Sequence, residues 1–128
     1  MSAWPVPAAP YPGRMRTDAA PGPEPSTAPF GDALRSAMRA RGMSFRELES
    51  RCLVPVGNLH DHVSGKRGVP GDDLMRRIAD GVGVPPAYFR EWRERRLVEA
   101  LREQPEVALR LWGLLSEGRL GEVAATDV

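Results

Sequence analysis

From residue 44 onward, the apolar positions of this chain fall three and four residues apart. Phe45, Leu48 and Cys52 share one helical face, and Val56, Leu59 and Val63 share a second, thinner one. The residues between these runs act as stop and start signals. Gly42 is placed to end a preceding helix in the left-handed conformation. Ser44 can accept from the amide three residues on while Glu47 reaches back to the amide of Ser44, a capping box that starts a helix. Pro55, with φ fixed and no N–H to satisfy, opens the next helix, which is expected to run over residues 55–64. Gly65 ends it, and Lys66 and Arg67 follow where a cation meets the negative end of the helix dipole.

A second helical piece lies further along. Residues 85–103 open with two prolines and then place Phe89, Trp92, Leu97, Ala100 and Leu101 in a broken helical stripe. Pro105 opens a last helix carrying Val107, Leu111, Leu114 and Leu115, and Gly118 ends it. No strand is predicted, so the fold class is all-α. Residues 1–30, dense in Pro and Ala with little apolar periodicity, read as a disordered, extended arm. Residues 119–128 read as a frayed tail, most clearly over 122–128.

Residues 44–67 therefore have the outline of a helix-turn-helix. The stretch resembles the DNA-binding domain of the Xre-type, lambda-repressor-like transcriptional regulators, and the similarity covers roughly residues 31–90. Leu34 matches the leucine of that family's first helix, and Ser44, Glu47 and Leu48 match its serine-capped second helix. Leu59, Gly65, Lys66 and Arg67 match the third helix and its Gly-basic-basic exit. Pro70, Ile78, Ala79, Gly83 and Val84 match a fourth helix that opens at a proline. The resemblance implies a helix-turn-helix domain over residues 31–84 whose third helix enters the major groove. Base contacts then map to Val56, Gly57, Asn58 and Asp61, with His60 a further reader or phosphate ligand. Phosphate contacts map to Ser44, Phe45 and Arg46 at the amino end of helix two, and to Lys66 and Arg67. Asn58 suits adenine, Val56 a thymine methyl, and Asp61 the amino group of cytosine. Two positions depart from the family pattern. Glu49 replaces an alanine, so its carboxylate must face outward or find a partner. Leu53 stands where a turn glycine is usual, at about 1 kcal/mol if that residue is left-handed.

The charge is nearly balanced over the whole chain, 18 basic against 17 acidic groups, so no general polycation holds a nucleic acid. Residues 31–67 differ, with seven basic groups against four acidic. All the basic side chains but Lys66 are arginine, which suits bidentate phosphate contact. The other chemistry-bearing residues have structural readings. His60 and His62 would project about 200° apart on a helix and cannot share a metal ion. His62 reads as a half-buried packing residue and Cys52 as an inert core thiol. Asp72 and Asp73 suit the positive end of the fourth helix. No cofactor, metal site or catalytic group is expected, and the chain does not read as an enzyme. A single cysteine leaves no disulfide framework, and neither a secretory signal nor a membrane span is apparent, so a cytoplasmic location is expected.

Residues 85–118 form a helical hairpin with more apolar surface than a four-helix core can cover. It either folds back as extra core or packs against the same region of another copy. The second is favoured, because two copies reading half-sites one helical turn apart need a self-complementary surface. The expected interface is Phe89, Trp92, Leu97, Leu101, Val107, Leu111, Trp112 and Leu115. In the arm, Arg14 and Arg16 could reach a DNA groove, and Trp4 and Tyr11 could meet a protein partner. The reading is a homodimeric, DNA-binding transcriptional regulator, bacterial or phage-like. Its alternative is the same fold used as a protein-interaction module: an antitoxin, an anti-activator or a polymerase adaptor.

Overall fold

The computed structural model describes residues 24–125, whose regular elements are all helices, with no strand. In chain order the helices are α1 (Phe30–Ala40), α2 (Phe45–Cys52), α3 (Val56–Ser64), α4 (Asp72–Val82), α5 (Arg90–Glu103), α6 (Pro105–Ser116) and the short α7 (Glu122–Ala125). A 3₁₀ turn, Pro86–Tyr88, links α4 to α5. Expectations for Trp4, Tyr11, Arg14 and Arg16 lie outside the described residues.

The first four helices form because each has one apolar stripe and a chemical stop. In α1 the buried residues Phe30, Ala33, Leu34, Ala37 and Met38 follow helical spacing. Gly42, at φ 61°, then turns the chain, and the amide of Met43 closes on Met38 O at 2.9 Å. The capping box of α2 is present, with the Glu47 amide donating to Ser44 Oγ at 3.1 Å and the Ser44 amide to Glu47 Oε1 at 2.8 Å. Helix α4 buries Met75, Ile78, Ala79, Gly81 and Val82, and ends at Gly83, φ 82°. It starts at Asp72, two residues beyond Pro70, because Gly71 is its cap. Helix α2 packs on α4, and α1 packs on α3.

Two glycines set these distances. A Cβ on Gly31 would stand 2.2 Å from the carbonyl oxygen of Val63, so only glycine lets the start of α1 touch the backbone of α3. A Cβ on Gly81 would meet Cys52 and Leu48 at 3.1 Å, which lets α4 lie close to α2.

The core continues past residue 84, and here the structure corrects the sequence-based boundaries. Phe30, expected in the arm, is 1% exposed and stacks on Phe89, with ring centroids 4.7 Å apart. Its amide donates to Glu91 Oε2 at 3.0 Å, so a carboxylate 61 residues away caps α1. Ser26 is held against the 3₁₀ turn. The Ser26 amide donates to Tyr88 O at 2.9 Å, and the Arg93 guanidinium gathers the carbonyls of Ser26, Ala87 and Tyr88 at 2.7–3.0 Å.

Phe89 and Trp92, expected at a dimer interface, are also core residues. Phe89 is fully buried and Trp92 is 9% exposed, because the 3₁₀ turn aims the first turn of α5 into the domain. Trp92 is also covered by Arg96 and Arg76, whose guanidinium carbons lie 4.5 and 5.2 Å from the ring centroid. Arg95 and Arg96 bond Asp72 at 2.9 and 2.7 Å. The hydrogen bond from Arg96, then that from Arg95, holds the Asp72 carboxyl below its usual range.

Beyond this clamp, α5 and α6 pair as a hairpin, and α6 has no buried residue. A last turn, α7, is present where fraying was expected. Arg119 bonds Glu122 at 2.9 and 3.0 Å and steadies its start.

The Gly31→Ala substitution should destabilise the domain by about 3 kcal/mol, since the added methyl meets a backbone carbonyl that cannot rotate away. Thermal or urea unfolding compared with a Gly57→Ala control, where an added Cβ meets nothing within 4 Å, tests this.

Candidate nucleic-acid interface

Helix α3 has an anchored side and an open side. Leu59 is fully buried and His62 is 7% exposed, its Nδ1 donating to Gly68 O at 2.8 Å. The sequence-based view of His62 as a half-buried packing residue thus falls short on burial and omits this bond. On the other side Gly57 and His60 are exposed, and Asn58 and Asp61 are half-exposed. Spacing three residues apart puts Asn58 and Asp61 on one face. Two residues of nine supply the buried anchor, and the outer residues are polar or small.

The turn into α3 explains both departures from the family pattern. Leu53 takes the left-handed conformation, φ 61° and ψ 36°, the only non-glycine residue with positive φ among those described. Arg77 of α4 donates to the carbonyls of Cys52 and Leu53 at 3.0 and 3.1 Å, satisfying the end of α2 and fixing the turn. Glu49 does find a partner, since its Oε2 accepts from the Val56 amide at 3.3 Å. A carboxylate therefore occupies the amino end of α3, and a phosphate is not favoured there.

The amino end of α2 lies beside α3, where the Phe45 ring packs on His60 at 4.1 Å between centroids. His60 is thus held between the two helices. At that end the Ser44 amide is engaged by Glu47, so among the expected phosphate ligands Ser44 retains only its hydroxyl proton as a donor. The amides of Phe45 and Arg46 occupy first-turn positions, which have no partner within a helix. Arg46 and Lys66 are exposed and form no ion pair among the described residues. Arg67 behaves differently: its Nη2 donates to Asn58 Oδ1 at 3.0 Å and lies 3.9 Å from Asp61 Oδ2. Sequence spacing concealed that contact, because nine residues and the left-handed Gly65 separate the partners.

Other chemistry is sparse. Among the described residues there is no group of three or more His, Cys, Asp or Glu placed to hold a metal ion. Cys52 is buried, and desolvation raises its thiol pKa, which disfavours the reactive thiolate. Among the described residues, no helix is long and apolar enough to cross a membrane.

Two helices joined by a tight left-handed turn, the second anchored at its base and open outward, define a helix-turn-helix domain of the DNA-binding type. The chain belongs to the family described as Helix-turn-helix domain, which it matches over residues 29–92. The match ends at Trp92, where the buried core also ends. Neither a curated protein nor a solved structure matches the chain.

Because Leu53 is 75% exposed and makes no core contact to lose, Leu53→Gly should stabilise the domain by about 1 kcal/mol. A rise in the urea unfolding midpoint with an unchanged slope would bear this out.

Proposed function

We propose that this protein is an Xre-type transcriptional regulator that inserts α3 into the major groove of duplex DNA, acting in the cytoplasm as a homodimer. The observation that carries this reading is the two-sided environment of α3, anchored by Leu59 and His62 and open at Gly57, Asn58, His60 and Asp61. Val56 and these four residues face base edges, and the exposed Gly57 leaves room for close approach. The amides of Phe45 and Arg46, the Ser44 hydroxyl and the side chains of Arg46 and Lys66 hold phosphates on either side. Arg67, also expected to hold phosphate, instead has its side chain laid along α3.

The hairpin supplies the dimer contact. Leu109, Trp112 and Leu115 of α6 are 70%, 62% and 51% exposed, and Leu97 and Val98 of α5 are exposed too. Leu101, Val107 and Leu111 are half-buried. Leu109 and Val98 replace Phe89 and Trp92 in the expected set. A second copy is the natural occupant, since a regulator that reads one half-site per domain needs a self-complementary surface.

A protein-interaction module, such as an antitoxin or polymerase adaptor, is the second reading. It is favoured by the carboxylates of Glu49 and Asp61 on or beside α3 and by the same exposed tryptophan.

Selection from a random duplex pool, followed at rising salt, tests the proposal. A two-fold symmetric motif with steeply salt-dependent binding is expected, and salt-insensitive or absent duplex binding would favour the protein-interaction reading. Lys66→Ala should weaken binding to all sequences and lower the salt slope by about one. For the dimer, Leu109→Glu with Trp112→Glu should convert the protein to a monomer in sedimentation equilibrium while leaving its helical circular dichroism intact. Persistence of a dimer would place the interface elsewhere.

A further inference from the structure

Helix α3 itself carries no Lys or Arg, so the face meant to read DNA has no strong donor of its own. Arg67 supplies one from outside the helix. Its backbone amide donates to Asp61 O at 3.1 Å, which brings the chain back against the end of α3 beyond Gly65. From there the side chain runs along the face that carries Asp61 and Asn58. Its Nη2 meets Asn58 Oδ1 at 3.0 Å and Asp61 Oδ2 at 3.9 Å. The guanidinium is thus held at two points, yet the side chain remains 49% exposed.

We propose that Arg67 is a base-reading residue, that it reads guanine, and that Asn58 and Asp61 are its positioning residues. This rests on the DNA-binding reading above and changes the residue and the base at the centre of it. The chemistry follows from donor and acceptor count. One Nη2 hydrogen goes to Asn58, and the remaining hydrogens on Nη2, Nη1 and Nε leave a free two-donor edge. Guanine presents two acceptors in the major groove, O6 and N7, which match that edge. Asn58 turns its carbonyl to the guanidinium, so its outward group is the amide NH₂, another donor. Adenine presents one acceptor and one donor and fits such a donor-only surface poorly. Asp61 lies beside the cation, which offsets the carboxylate's repulsion of nearby phosphate and gives it a role other than reading cytosine.

The test compares the full-length protein with R67K, which keeps the positive charge but lacks the planar two-donor edge. Duplex selection with the unsubstituted protein should enrich guanine at one position of each half-site. Replacing that guanine by adenine should weaken binding roughly ten- to a hundred-fold. In R67K the guanine preference should shrink several-fold, because an ammonium still reaches O6 or N7 but without the planar two-point fit, with the salt slope unchanged because the phosphate contacts remain. Arg67 is half-exposed, so folding of R67K is readily confirmed by its thermal unfolding. A guanine preference undiminished in R67K would overturn the inference. So would an enriched adenine that is lost in N58A and kept in R67K, since Asn58 would then be the reader. Absence of salt-sensitive duplex binding by the unsubstituted protein would remove the DNA-binding reading itself, and the inference with it.

Discussion

The domain depends on the contact between the backbone of α1 and the backbone of α3 at Gly31 and Val63. Helix α3 is nine residues long and buries two side chains, too few to orient it by apolar packing alone. With no side chain at residue 31, the start of α1 lies directly on the end of α3. The Glu91 cap and the Phe30–Phe89 stack hold that start in place. Without a defined α1 entry, the outward face of α3 would have no fixed orientation.

That constraint explains why the domain extends further in both directions than its apolar stripes suggest. Thr27 and Ser26 are held by Arg90 and Arg93, and the first turn of α5 delivers Phe89, Glu91 and Trp92 to the core. The helix-turn-helix and the hairpin therefore share residues. Asp72, bonded by Arg95 and Arg96, joins α4 to α5 just beyond the last buried side chain.

Local signals were legible in the sequence and distant ones were not. The capping box at Ser44 and Glu47, the stop at Gly65 and the core face of Leu48 and Cys52 lie within one helical turn of their partners, where spacing predicts contact. The capping role of Glu91, the close approach at Gly31 and the carbonyl grip of Arg77 join residues far apart in the chain, and no periodicity announces them. Phe89 and Trp92 showed the same limit. Their helical spacing marked them as apolar, but only the 3₁₀ turn decided that they face inward. At the candidate site, Asn58 and Asp61 could be placed on one face from their spacing, whereas the return of Arg67 along that face depends on the left-handed turn at Gly65. The fold was thus more legible than the site, because a fold is written largely in repeated local patterns and a recognition surface in single long side chains.

Helix α5 has its first turn anchored in the core by Trp92 and ends in the hairpin at Glu103, with no proline or glycine along it. Its 14 residues form one continuous rod about 21 Å long. Whatever binds α6 is consequently aimed as well as tethered, at an azimuth relative to α3 that is fixed by the number of residues in the rod. Each residue added to or removed from α5 would rotate the far end by about 100°. Point substitutions can tune the strength of such a union, but its geometry changes only in steps of whole residues.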